Sequence, residues 1–192
     1  SMVFGISTAC FYPELTEKAA EWIAGAGIPA AEVFFNAPSE LAPEFLRKLR
    51  DTFQRGGTQV ISVHPFTSGL EPLLLFSEYE RRFIDGVELY RRYFEAAAYL
   101  GASYVVLHGD RKESQSPQTL YFERYARLDE AAKSCGVRLL QENVERCRAG
   151  RGDFLAAMKK VLPDALFVLD LKQARRAGED VLGLLKVLGP SV

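Results

Sequence analysis

The sequence is poor in the features that mark specialised scaffolds. Its three cysteines, Cys10, Cys135 and Cys147, include no C-x-x-C pair and are odd in number. That argues against a disulfide framework and against a structural zinc knuckle. Cys10 lies near an expected strand end, where a reactive thiol is conceivable; the plainer reading is a partly buried free thiol in a reducing compartment. No apolar run approaches the roughly 20 residues that a bilayer-spanning helix needs. The N-terminus lacks the basic-then-apolar layout of a signal peptide, and Ser1-Met2 reads as an artificial leader before a native start. A cytoplasmic protein with no membrane partner is expected. The formal net charge is −1, so no broad basic surface attracts nucleic acid, which is not an expected partner. No G-x-G-x-x-G or Walker-type loop follows the first expected strand, which weighs against a nucleotide-binding open sheet.

What is present is a regular alternation. With 192 residues, 48% of them hydrophobic, the chain suffices for one domain with a substantial core. Short β-branched and aromatic runs predict strands at Val3–Thr8, Ala31–Asn36, Val60–Phe66, Tyr104–Gly109, Arg138–Val144 and Leu166–Leu171. Helical patterns separate them. Leu15, Ala19, Trp22, Ile23 and Ala26 share one face of the first, and Phe45, Leu46, Leu49 and Phe53 one face of the second. Phe83, Val87, Tyr90, Phe94 and Ala97 mark the third, which is the longest. Tyr121, Tyr125, Leu128 and Ala132 mark the fourth, Phe154, Leu155, Met158 and Leu162 the fifth, and Asp180 to Leu188 the last. Gly27, Gly56-Gly57, Gly101, Gly136 and Gly189 stand where left-handed residues close helices.

Strict strand–helix alternation implies a parallel sheet with right-handed crossovers, either doubly wound or a (β/α) barrel. Strand parity favours the barrel. Val33, Phe35, Ile61, Val63, Val105, Leu107, Phe167, Leu169 and Leu171 form an apolar set for the helix-facing side. The opposite parity carries Glu32, Asn36, Ser62, His64, His108, Glu142 and Asp170. A doubly wound sheet, covered by helices on both faces, would be apolar at both parities.

Four of these inward residues stand out: His64 in VISVHPF, His108 in YVVLHGD, Glu142 in RLLQENVE and Asp170 in LFVLDLKQ. They are the only histidines in the chain and two carboxylates inside otherwise apolar strands. Each lies near its strand's C-terminal end, the rim where barrel active sites assemble. A histidine or aspartate alone at a strand end is commonly a hydrogen-bonded structural residue or a helix cap. Four at matched depth on successive strands form a mixed nitrogen–oxygen set suited to a divalent cation, Mn²⁺, Zn²⁺, Co²⁺ or Mg²⁺. Asp110, after His108, reads as a solvated turn residue. Arg47, Lys48 and Arg50, like Lys172, Arg175 and Arg176, read as solvent faces of helices rather than anion sites.

At these residues the sequence resembles the xylose-isomerase-like barrel superfamily of sugar isomerases, ketose epimerases and metal-dependent abasic-site endonucleases. The resemblance spans the chain and rests on AAAYLGASYVVLHG, LLQENVE and LFVLDLKQARRAG. It implies a TIM-type barrel in which Glu142 and Asp170 match metal-binding carboxylates, and His64 and His108 match positions that bind metal or substrate. It implies isomerisation or epimerisation of a small-molecule sugar, with a metal holding two adjacent substrate oxygens and stabilising a cis-enediolate. Glu142 would then move a proton, His64 and His108 would position hydroxyls or assist, and Asp170 would be a plain ligand.

Two departures bear on that expectation. Gln173 stands where the family commonly has histidine; an amide can hydrogen-bond a sugar hydroxyl but is a poor transition-metal ligand. The chain also ends at Pro190-Ser191-Val192, where a seventh strand is due, so residues 1–192 are expected to form one partial barrel lacking strands seven and eight. The edges of strands one and six would then invite another chain, as in a homo-oligomer, and the chain alone would be inactive if a longer parent supplies the rest. Two rival readings are an abasic-site endonuclease, disfavoured by charge and by Gln173, and a non-catalytic barrel remnant acting as a binding module.

Overall fold

The computed structural model describes residues 3–192; Ser1 and Met2, and the reading of them as a leader, lie outside. Six strands occur in order: β1 (Gly5–Ser7), β2 (Ala30–Phe34), β3 (Gln59–His64), β4 (Tyr104–Leu107), β5 (Arg138–Glu142) and β6 (Leu166–Val168). All neighbours pair in parallel, and the spatial order equals the chain order. A doubly wound sheet reverses direction at a switch point; this one never does, so it is a wedge of a barrel with β1 and β6 at its open edges. The helices are α1 (Thr16–Gly25), α2 (Pro43–Gly56), α3 (Glu71–Leu74), α4 (Glu80–Tyr99), α5 (Gln118–Ser134), α6 (Gly152–Val161), α7 (Leu171–Arg176) and α8 (Val181–Leu188). The short α3 and α7 were not anticipated, and most strands are shorter than their apolar runs.

The outward parity does pack against helices. Val33, Phe35, Val63, Val105, Leu107 and Phe167 are fully buried against the stripes of α2, α4 and α5, in one continuous apolar core. Two residues assigned to that side belong elsewhere. Ile61 is exposed, because the β2–β3 register slips between Ala31 and Glu32 and skips one residue of β3. The bulge turns Ile61 toward the inner side, where it lines a groove with Glu32 and Ser62. Leu171 opens α7 and is exposed.

The first helix buries only part of the face its periodicity suggested, Ala19 and Ile23, and turns toward Ala20 and Ala24. Ala19, Ala20, Ile23 and Ala24 are buried, whereas Leu15, Trp22 and Ala26 are exposed. The reason is the close approach of α2: a Cβ on Gly56 would fall 2.5 Å from the Ala24 carbonyl oxygen. Small residues let the two backbones nearly touch, and the bulky Trp22 is left to pack on Phe11 at the rim. The expected closing glycines do adopt left-handed geometry at Gly27, Gly57, Gly101, Gly136 and Gly189. Among the described residues no helix is long and apolar enough to cross a membrane.

Candidate functional site

Three strands deliver their polar residues to one place. His64 ends β3, His108 follows β4 by one residue and Glu142 ends β5. His108 Nε2 lies 2.9 Å from His64 Nε2 and 3.0 Å from Glu142 Oε2. The ligand atoms of all three side chains lie within 4.8 Å of one another.

The outer contacts of the imidazoles fix their protons. His64 Nδ1 faces the Pro65 carbonyl at 3.0 Å, so Nδ1 carries the hydrogen and Nε2 offers a lone pair. His108 Nδ1 faces a guanidinium nitrogen of Arg146 at 3.3 Å. Guanidinium only donates, so Nδ1 accepts and the His108 hydrogen sits on Nε2, between His64 and Glu142. Burial, reinforced by the neighbouring His108, lowers the His64 pKa to about 4. Burial works the other way on Glu142, but the His108 hydrogen bond and the charges of His108, His64 and Arg146 outweigh it and hold the carboxyl below its usual range. At neutral pH the site therefore offers a neutral His64 and an ionised carboxylate.

A divalent cation fits this donor set. Two imidazoles and one carboxylate make the three-ligand arrangement of open catalytic zinc sites, with a position left for substrate. His64 Nε2, His108 Nε2 and a Glu142 carboxylate oxygen would hold the cation, which requires His108 to give up both its Nε2 hydrogen and its contact with Arg146.

Asp170 and Gln173 are engaged differently. Asp170 caps α7, its Oδ1 accepting the Gln173 backbone N–H at 3.1 Å. Its own backbone is clamped by Asn143, which accepts the Asp170 N–H at 2.6 Å and donates to the Asp170 carbonyl at 3.0 Å. Gln173 Oε1 accepts the Glu145 N–H at 2.9 Å, which leaves its amide nitrogen to donate. Neither side chain joins the three-residue cluster.

Three further residues serve the site. Glu71, on α3, is fully buried; its Oε1 accepts the His108 and Gly109 N–H groups at 2.9 and 2.8 Å, and the Tyr90 hydroxyl donates to Oε2 at 2.5 Å. It anchors the chain where His108 leaves the sheet. Gly109 turns there at φ 93°, and a side chain on it would collide with the Tyr121 hydroxyl. Arg146 sets the His108 tautomer. Beneath the cluster, Glu32 accepts the Ser62 hydroxyl at 2.6 Å, and burial raises its pKa, opposed by that hydrogen bond and aided by the charge of Glu142. A lone acid in the apolar run Leu70–Phe76 was the available signal for Glu71; Arg146 had none.

Two expectations need correction. Asp110 is buried, not solvated, because Arg148 reaches its carboxylate at 3.7 Å. Cys10 is exposed in a 3-10 turn after β1; all three cysteines are free. The basic residues of α2 and α7 are exposed, as expected of solvent faces.

With this geometry in view, comparison with known proteins is direct. Residues 20–189 match the family described as xylose isomerase-like TIM barrel. The chain belongs to that family. No curated protein sequence matches it. Among solved structures, a D-tagatose 3-epimerase-like protein superposes with a TM-score of 0.80 at 22% identity, covering 98% of this chain and 72% of that one. The IolI protein, whose structure holds a zinc atom, gives 0.76 at 17%, covering 96% and 68%. An AP endonuclease of family 2 from Brucella melitensis gives 0.74 at 15%, covering 100% and 77%. At such identities these likenesses establish the barrel fold that the family shares.

Proposed function

We propose that this xylose isomerase-like barrel serves a divalent-metal-dependent isomerase or epimerase acting on a small sugar or sugar derivative. The observation that carries the reading is the contact of His64, His108 and Glu142 at the C-terminal rim. These three residues would hold the cation, and Asp170, clamped one strand away by Asn143, would add a second carboxylate. When bound, the cation supplies Lewis acidity toward a substrate carbonyl. Glu142, ionised at neutral pH, is suited to take a proton from the carbon beside that carbonyl. With both imidazole Nε2 atoms given to the cation, the Gln173 amide nitrogen is the group free to donate to a hydroxyl. Sugar-epimerase names among the structural neighbours agree with this choice of substrate. Three free thiols suit a reducing, cytoplasmic setting, and the edges at β1 and β6 suit pairing with a further chain.

Equilibrium dialysis against Zn²⁺ and Mn²⁺ tests the core of the proposal. The unaltered protein should take up one cation per chain. Glu142→Gln should weaken uptake about 100-fold or more, and Asp170→Asn by about 10-fold, the lower end of what ligand-shell changes cost. Unaltered uptake by Glu142→Gln would remove the proposed ligand set.

A further inference from the structure

Beside the His–Glu cluster, on the same rim, lies a groove of about 670 Å³. Its walls come from three loops: the one after β3 with α3, the one after β4, and the one after β5. The last two are zipped together. Arg111 and Cys147 form an antiparallel bridge, Lys112 N–H donates to the Arg146 carbonyl at 3.2 Å, and Arg148 N–H donates to the Asp110 carbonyl at 2.9 Å. This short ladder fixes two arginines, Arg111 and Arg146, on the groove.

The charges around the groove do not cancel. Asp110 is matched by Arg148 at 3.7 Å, and Lys112 by Glu145 at 3.1 Å. Among the described residues, no carboxylate comes within ion-pair distance of Arg111 or Arg146. Glu113 lines the groove too, so the excess is one positive charge over two guanidinium groups. Ser114 and Ser116 add hydroxyls to the same lining. Arg146 is the hinge between the two areas, because its other contact is His108 Nδ1.

We propose that the groove binds an oxyanion carried at the far end of the substrate, a phosphate ester above all, while the reacting carbonyl end lies at His64, His108 and Glu142. The inference deepens the sugar-isomerase reading and rests on it for the placement of the reacting end. Two guanidinium groups and the flanking hydroxyls on one lining offer donors to a phosphate's terminal oxygens, whereas a neutral hexose would leave the surplus positive charge unmatched. The substrate class is thus a ketose or aldose phosphate.

The test separates groove from metal site. Inorganic phosphate is titrated calorimetrically into the full chain in the presence of EDTA, so that binding does not depend on the cluster. Phosphate should bind, and Arg111→Met should weaken it about 10-fold, the scale of one charge-assisted pair. Arg111→Lys should recover part of the loss, and Arg151→Met, a remote exposed control, should change nothing. Zn²⁺ uptake by Arg111→Met should equal that of the unaltered protein. A ketopentose 5-phosphate should bind more tightly than the same ketopentose without phosphate. Phosphate binding that is absent, or indifferent to Arg111→Met, overturns the proposal, as does an abasic-site oligonucleotide that displaces phosphate where the ketopentose 5-phosphate does not. Loss of Zn²⁺ uptake with phosphate binding intact would sink the metal reading and leave the groove standing.

Discussion

Two glutamates, Glu71 fully buried and Glu142 half-buried, approach His108 from opposite directions, and their pKa values shift in opposite senses. Glu142 meets the imidazole from the inside of the barrel, and Glu71 meets the backbone from the helical layer. Burial, against hydrogen bonds from Tyr90, Gly109 and His108, raises the Glu71 pKa to about 7. Glu142 is less buried and faces an imidazole pair and Arg146, which take its pKa down. Neutral donors satisfy lone pairs without repaying the full loss of hydration; nearby positive charge does repay it. The same residue type is thereby an anchor on one side of β4 and a candidate ligand on the other.

The largest expected effect falls on the inner side. Glu142→Gln should lower turnover of a suitable ketose about 10³-fold, within the range that a lost acid–base group costs, and leave the folded state intact. Glu71→Gln should keep most of the activity, because the amide oxygen still accepts both N–H groups and the Tyr90 hydroxyl can turn to accept from the amide nitrogen. Equal losses in steady-state assays of the two variants would abolish the distinction.

Stability should reverse the ranking. Glu71→Leu strands two buried N–H groups at about 1–3 kcal/mol each, so a loss of about 3–5 kcal/mol is expected in urea unfolding. Glu71→Gln should stay within about 1 kcal/mol of the unaltered protein by the same reasoning. A Leu variant as stable as the Gln variant would show that the anchor carries no weight.

Acidity separates the two sides further. The Glu71 pKa is raised on folding, so its contribution is complete below about pH 4.5 and is lost as pH rises toward about 7. The His64 pKa is depressed, so its contribution is complete above about pH 6.5 and is lost as pH falls toward about 4. In metal-free protein the two slopes oppose each other between about pH 4.5 and 6.5. Glu71→Gln should expose the His64 slope, with stability climbing by up to about 3 kcal/mol across that window. Denaturation midpoints at half-unit pH intervals would show it; a flat profile in the variant would contradict the His64 assignment.

These relations were unevenly legible in the sequence. Alternating parity placed His64, His108 and Glu142 on one side of successive strands, because side-chain direction in a strand is a local property. The bulge at Ile61 is set by the pairing of β3 with β2, and no period within β3 reveals it. The buried face of α1 was decided by Gly56, on another helix. Glu71 and Arg146 act on His108 across 37 and 38 positions of chain. Strand ends could be found from local pattern; what holds them, and which proton each carries, depends on contacts between distant loops.

The smallest effect examines why Glu71 stays on its side of the comparison. Tyr90 donates to Glu71 Oε2, and Thr67 Oγ1 lies 3.0 Å from the Tyr90 hydroxyl. Tyr90→Phe removes one neutral donor and leaves the burial of Glu71 intact, at a cost of about 1 kcal/mol. Since that bond favours the ionised carboxyl, its loss should carry the Glu71 transition above about pH 7 and extend the falling limb of stability into the alkaline range. A transition moving toward acid would mean that the carboxyl's proton, not the tyrosine's, occupies the bond. The two glutamates would then differ by where a hydrogen sits, and desolvation would not be the cause.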